Sequence, residues 1–162
     1  MNRNNLLRRA FAGWVAVLCI ALYSGCIYEV PITLQPTRKT DDRLIGNWFC
    51  AKEKETMSVR KLDDSIYLIA YGKDLFRAWH SDLDGVAFMS VQDLNRKERK
   101  YTYFTYRLED DGGLTIRVVN PERVSEETKS VADVQALLRQ HADEQDLFLD
   151  EVSRFTKETR DE

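Results

Sequence analysis

The chain has few of the residues that build catalytic centres, metal sites or disulfide frameworks. Its 162 residues include three cysteines and two histidines. Cys19 and Cys26 fall in an N-terminal segment unlike the rest, so only Cys50 belongs to the body of the chain. One thiol cannot form an internal disulfide, so stability must come from a hydrophobic core, where Cys50 is expected to be buried and inert. His80 and His141 alone are too few for a rich metal or acid–base site, so we expect neither a cofactor nor enzymatic activity.

A few polar residues could still carry chemistry, and each of them has a simpler interpretation. His80, Asp82 and Asp84 place three metal-ligating groups within five residues. No second group of ligands accompanies them, so the pattern favours a polar strand end that runs into a turn, with an enzyme or metal site around His80 as the alternative. Ser81 and Ser90 lack the strand–turn–helix setting of a hydrolase nucleophile, and no glycine-rich loop is present to bind phosphate.

No hydrophobic run in the sequence reaches the ~20 residues that a membrane-spanning helix needs. The run at residues 10–23 has 14 residues, follows three arginines and ends at Ser24-Gly25, directly before Cys26. Charged, apolar and small residues in that order are typical of an export signal, which we assign to residues 1–25. An uncleaved membrane anchor is the alternative for this segment.

The end of this segment, Leu-Tyr-Ser-Gly-Cys at residues 22–26, resembles the lipobox of bacterial lipoproteins. In that family the cysteine is acylated, the signal is cut directly before it, and the lipid holds the mature protein on a membrane. The resemblance therefore implies that Cys26 is the lipidated N-terminus of the mature chain. Tyr23 departs from the motif, which usually has Leu or another aliphatic residue at this position.

The export route and the destination are inferred from the neighbouring residues. Residues 8–11, Arg-Arg-Ala-Phe, look like the core of a twin-arginine signal, but Leu7 and Ala12 differ from that motif, so general secretion is the expected route. Ile27 follows the cysteine where many enterobacterial lipoproteins retained in the inner membrane have aspartate. We therefore expect a lipid-anchored protein of the cell envelope that faces the periplasm, with the outer membrane favoured over the inner one.

Acidic residues outnumber basic residues in the chain as a whole. There are 24 Lys and Arg against 27 Asp and Glu, and residues 1–25 hold three of the arginines and none of the acids, so the mature chain has a formal charge of −6. This balance argues against a nucleic-acid partner, which requires a basic face. It also predicts that attachment to an anionic membrane would rest on the lipid and not on protein charge.

The mature chain is expected to be one domain that follows a tether. Residues 26–42 combine the cysteine with two prolines and a polar run, which predicts an extended tether before a single domain at residues 43–162. Within the domain, short apolar stretches alternate with charged or glycine turns such as Asp-Asp-Gly-Gly at residues 110–113. This pattern predicts a mainly β fold, an antiparallel meander of seven or eight strands in a barrel or strongly curved sheet. The predicted strands lie at residues 44–51, 57–62, 65–71, 75–81, 86–93, 99–108, 114–119 and 151–156.

One helix is predicted between the last two strands. Ser130 suits an N-cap, and Asp133 lies in the first turn. Val131, Val134 and Leu138 recur at helical spacing, which predicts an amphipathic helix that packs on the outside of the sheet.

Gly46 and Trp48 on the first predicted strand, with a meander and a helix before the last strand, resemble the lipocalin and calycin group. In that group the tryptophan packs across one end of the barrel, and the interior often holds a hydrophobic ligand. The resemblance covers the architecture of residues 44–157 and implies that Gly46 and Trp48 are structural. The chain also resembles many small bacterial lipoproteins of this type.

Aromatic residues form stripes on two of the predicted strands. Tyr101 and Tyr103 share one strand face, and Tyr67 and Tyr71 share a face of another strand. Core packing is the simpler interpretation, but a second aromatic face would line a cavity or form a contact surface. We therefore expect a non-catalytic binding role, for a small apolar ligand or an envelope protein, with a solid structural barrel as the alternative.

Overall fold

The computed structural model describes residues 28–158, which form a mainly β structure. The described residues contain eight strands, one α-helix and two short 3₁₀ helices. The strands are β1 (Gly46–Cys50), β2 (Glu55–Lys61), β3 (Ile66–Tyr71), β4 (Asp74–His80), β5 (Phe88–Asp93), β6 (Tyr101–Leu108), β7 (Gly113–Val119) and β8 (Phe148–Lys157).

The strands form a closed antiparallel barrel, which confirms the predicted meander. Each strand pairs with the next in the chain, and β8 pairs back with β1 through Trp48↔Lys157 and Phe49↔Thr156. The predicted strand boundaries differ from the observed ones by at most three residues. The β6–β7 hairpin forms at the predicted turn, where Gly112 has a φ of +79°, a conformation that side-chain-bearing residues rarely adopt.

The turns define two different ends of the barrel. The mouth is the end that carries the β1–β2, β3–β4 and β5–β6 turns. The closed end carries the β2–β3, β4–β5 and β6–β7 turns, and here a 3₁₀ helix, Asp42–Leu44, leads into β1. Leu44 is buried in the barrel core, so this short helix seals the closed end from below.

The stretch before that helix packs against the domain. We call residues 28–41 the strap. Tyr28 and Ile32 are fully buried. Tyr28 exchanges two backbone hydrogen bonds with Tyr101, at 3.0 and 2.8 Å, and the Ile32 amide donates to Ser90 Oγ at 3.0 Å. The expected tether is therefore a packed part of the domain over these residues, because its apolar side chains gain by leaving water.

The strap crosses the outside of the barrel from the mouth towards the closed end. The Tyr103 hydroxyl on β6 donates to the Val30 carbonyl at 2.5 Å, and Trp79 Nε1 on β4 donates to the Thr33 carbonyl at 3.1 Å. The Thr37 amide then donates to the carbonyl of the last β4 residue at 2.9 Å. As a result β5 is buried on both faces, by the barrel interior and by the strap.

The predicted helix is present as α1 (Val131–Gln140), between β7 and β8. Ser130 caps it as expected, because its Oγ accepts from the Asp133 amide at 3.1 Å. Val134 and Leu138 are buried in a second apolar cluster, outside the barrel, which also contains Tyr28 of the strap. The strap and α1 therefore share one core on the outer face of the sheet.

Candidate functional site

The barrel encloses an apolar cavity of about 330 Å³ that opens at the mouth. Side chains from seven of the eight strands line it, because alternate residues of each strand point inwards. The deep part is bounded by Leu44, Tyr67 and Tyr106, and the mouth by exposed residues of the β3–β4 and β5–β6 turns. Apolar lining residues between these two levels are Met57, Val59, Ile69, Phe76, Phe104 and Ile116.

The two aromatic stripes lie on opposite faces of the barrel wall. Tyr67 and Tyr71 point inwards and line the cavity, which was one of the alternatives that the sequence left open for an aromatic strand face. Tyr101 and Tyr103 point outwards and are covered by the strap. The Tyr103 ring stacks on that of Tyr28 with centroids 3.9 Å apart and an interplanar angle of 13°. These two residues therefore neither line the cavity nor form a free contact surface.

Polar groups collect at the mouth. Asp93 is buried, accepts from the Asn95 amide at 2.7 Å and forms an ion pair with Arg96 at 3.3 Å. Across the opening, the Tyr71 hydroxyl donates to the carboxylate of Glu53. Burial raises the pKa of Glu53, and the nearby acids Glu151 and Glu55 raise it further against the opposing charge of Lys52. Burial is therefore the main cause of this pKa shift, and the charges around Glu53 have both signs.

Trp48 and Gly46 build the closed end. Trp48 is 1% exposed, its Nε1 donates to the Leu44 carbonyl at 2.8 Å, and the Lys157 ammonium lies 5.2 Å from its ring centroid. Gly46 has a φ of +147°, in the region that favours glycine, so it turns the chain from the 3₁₀ helix into β1. The packing of Trp48 ties the 3₁₀ helix to the barrel.

A buried polar cluster lies next to this end. The Tyr67 hydroxyl accepts from the Asp41 amide at 2.5 Å and lies 2.9 Å from His80 Nε2. The Tyr67 hydroxyl hydrogen has no other acceptor among the described residues, so we assign it to His80 Nε2. The imidazole is then neutral with its proton on Nδ1, a buried atom that has no partner of its own. Burial, with Arg38 close by, lowers the pKa of His80 to about 4, and burial raises the pKa of Tyr67 to about 12.

The three metal-ligating groups at residues 80–84 are not brought together. His80 is fully buried, whereas Asp82 pairs with Arg38 at 3.1 Å and Asp84 with Arg139 at 2.7 Å. Within residues 28–158 no group of three His, Cys, Asp or Glu side chains is placed to hold a metal ion.

Two sequence expectations concern Cys residues. Cys50 is a buried free thiol of the barrel core, as expected. Cys26 and the export signal at residues 1–25 lie outside the described residues. In the part of the chain that the structure describes, no helix has the length and hydrophobicity to cross a bilayer.

Comparison with known proteins identified no relative of this chain. No family model, no curated protein and no solved structure matches the chain.

Sequence reasoning missed the strap, although a signal for it was present. Tyr28, Val30 and Ile32 alternate with polar or turn residues, as on a half-buried strand, and all three pack in the outer cluster. The two prolines at residues 31 and 36 suggested a tether because they exclude regular ladder pairing. Proline does not prevent the neighbouring residues from packing.

Proposed function

We propose that this chain is a membrane-anchored envelope lipoprotein that binds a small apolar ligand inside its barrel. The cavity is the observation that carries the proposal, since a barrel that only stabilised an assembly would have no need of one. Its volume falls at the lower end of the range typical of small-molecule pockets, and its walls are mostly apolar with a few polar groups at the opening. No comparable feature favours an envelope protein as the partner or a barrel with a solid interior.

The size and polarity of the cavity suggest the class of ligand. A dry cavity of 150 Å³ holds one benzene, so about 330 Å³ has room for roughly a dozen non-hydrogen atoms. The apolar walls suit a hydrocarbon chain or ring system, and the polar mouth suits a single polar group. The lining of the mouth has charges of both signs, with Lys73 and Arg96 beside Glu55, Asp74 and Asp93, so it can accept the polar group of an alcohol, an amine or a fatty acid.

The likeness to lipocalins supports this proposal. Gly46 and Trp48 on the first strand of an antiparallel meander, with the tryptophan buried at the closed end, form the arrangement that the resemblance implies. The helix before the last strand, amphipathic by sequence, adds to the likeness. We infer a lipocalin-like barrel in which the closed end is structural and the mouth admits the ligand.

A non-catalytic role is part of the same proposal. His80, the residue on which an enzyme would depend, has Nε2 occupied by Tyr67 and no exposed surface. A general base needs to reach the proton that it abstracts, so this buried imidazole is better suited to holding the strap than to catalysis.

Ligand binding can be tested with the neutral fluorescent probe 1-naphthylamine, which is small enough for the cavity. We expect its emission to rise with wild-type protein and to fall again when decanol is added as a competitor. Val91→Phe places a larger side chain in the cavity wall and should abolish the signal. Val152→Phe makes the same change on the exposed outer face of β8 and should leave it unchanged. Equal binding by both variants would show that the probe sits elsewhere.

The anchor can be tested separately by mass spectrometry of protein from the membrane fraction. We expect a chain that starts at Cys26 and carries added acyl mass. Recovery of residues 1–25 on the membrane-bound chain would contradict the lipobox assignment.

A further inference from the structure

We infer that the barrel is held with its mouth against an anionic membrane surface, so that the cavity opens towards the bilayer. This inference rests on the proposed lipid anchor and deepens the proposed binding function, because it makes the membrane the source of the ligand. It depends on two separate features of the mouth end, namely where the strap begins and where the positive charge lies.

The strap begins at the mouth end and is firmly held there. Tyr28 pairs with the first residue of β6, Tyr101, stacks on Tyr103 and donates its hydroxyl hydrogen to the Val124 carbonyl at 3.0 Å. It is fully buried. With hydrogen bonds at both its backbone and its hydroxyl, Tyr28 is a fixed point of the domain and not part of a spacer.

Covalent geometry then limits the distance between the lipid and the barrel. Cys26 is two residues before Tyr28, and two residues of chain span at most about 7 Å. β6 runs from the mouth to the closed end over eight residues, which is about 25 Å of strand. A lipid on Cys26 therefore holds the mouth end near the bilayer and keeps the closed end away from it.

The positive charge lies in the same place. The β5–β6 loop contains Arg-Lys-Glu-Arg-Lys at residues 96–100, directly before Tyr101, and residues 96–99 are exposed. Even with Asp93 counted as the partner of Arg96, the loop keeps a net charge of about +2. Basic residues beside a lipid anchor add electrostatic attraction to an anionic bilayer surface.

This arrangement differs from the expectation drawn from net charge. The mature chain is acidic overall, and the β7–α1 connection, which starts at the same end of the barrel, carries Glu122, Glu126 and Glu127, so the positive potential is local to the β5–β6 loop. At physiological ionic strength charges are screened beyond about 8 Å. On the side of the β5–β6 loop, an approaching bilayer therefore interacts with the basic residues and not with the average charge of the chain.

Contact quenching in vesicles tests the orientation with the full lipidated chain. Glu98→Cys and Asp110→Cys place one reactive thiol at the mouth and one at the closed end, both at exposed acidic positions, while Cys50 is buried. Each is labelled with a fluorophore and reconstituted into vesicles with about one third anionic lipid and a headgroup-linked quencher. We expect the residue 98 label to lose most of its emission and the residue 110 label to keep it. Equal loss, or greater loss at residue 110, would overturn the inference.

Charge reversal and salt provide the controls. Lys97→Glu with Lys100→Glu should reduce the difference between the two labels, as should ~1 M salt, where the Debye length is ~3 Å. The matched pair Lys39→Glu and Arg107→Glu, away from the mouth, should not. Failure of the anchor itself would appear as protein that does not float with the vesicles. Failure of ligand binding would appear as no probe signal in detergent, so each is distinguishable from a wrong orientation.

Discussion

Buried His80 should make the stability of this domain fall as the pH drops from 6.5 towards 4. The imidazole is neutral in the fold, accepts from the Tyr67 hydroxyl at 2.9 Å, and has no exposed surface. Protonation would place a charge in this buried site near Arg38 and turn the acceptor nitrogen into a donor that faces another donor.

The direction and the size of this effect on stability follow from the difference between the pKa of His80 in the folded state and its pKa in the unfolded state. The pKa of His80 falls from 6.5 to about 4 on folding, so between these values the unfolded chain binds the extra proton and the fold does not. Stability is therefore complete above pH 6.5 and is lost as the pH falls towards 4. At 1.36 kcal/mol per pKa unit, the loss between pH 7 and pH 4 is about 3 kcal/mol.

Urea unfolding followed by tryptophan fluorescence at a series of pH values measures this loss. His80→Phe should be less stable at pH 7, because it leaves the Tyr67 hydroxyl without an acceptor, but its stability should change less across the window. Val152→Ala, at an exposed position on β8 that has no titratable group, should keep the wild-type slope. Carboxylates whose pKa is shifted by other partners, such as Glu109 and Asp146, contribute to every variant and cancel in the comparison. If wild type and His80→Phe lose the same free energy between pH 7 and pH 4, the assigned protonation state is wrong.

Three further predictions concern packing, and unfolding free energies check all of them. Trp48→Ala should lower the free energy of unfolding by about 3–5 kcal/mol. Phe49→Ala, at a 38% exposed outer position, should lower it far less. Similar values for the two variants would show that Trp48 does not seal the barrel. Leu138→Asp buries an unpaired charge and should unfold the domain or release α1. Ala136→Asp, on the exposed side of the helix, should cost under about 1 kcal/mol. Equal stability of the two variants would mean that α1 does not pack on the barrel. Tyr28→Ala should cost about 3 kcal/mol or more, and a cost near zero would mean that the strap is a free tether.

The strand order was predictable because local signals determine a meander. All hairpin connections but the β1–β2 turn contain Gly, Asp or Asn, and inward-facing residues such as Leu114 and Ile116 recur at period two, so most strands could be placed from their own neighbourhood. Closure of the sheet into a barrel could not be predicted from such local signals. It depends on β1–β8 pairing between residues more than 100 positions apart, for which the sequence offers no local signal.

The site was only partly predictable for a related reason. Tyr67 and Tyr101 look alike in sequence, since each begins an aromatic stripe on a strand. A strand that is covered on both sides is apolar on both faces, so the sequence does not distinguish the inner face from the outer one. Which face meets the cavity depends on the strap, whose role was hidden by its prolines. The basic loop at residues 96–100 was visible in the sequence, but its meaning depends on its position beside Tyr28, which only the fold provides.

The most direct test of the central claim is a crystal structure of the protein with 10-bromodecanol, in which the anomalous signal of bromine locates the end of the chain. The account predicts bromine inside the barrel, in contact with Leu44, Tyr67 or Tyr106 at the deep end of the cavity, and the hydroxyl at the mouth. Bromine confined to the outer surface, or a barrel interior that excludes the ligand at saturating concentration, would contradict it.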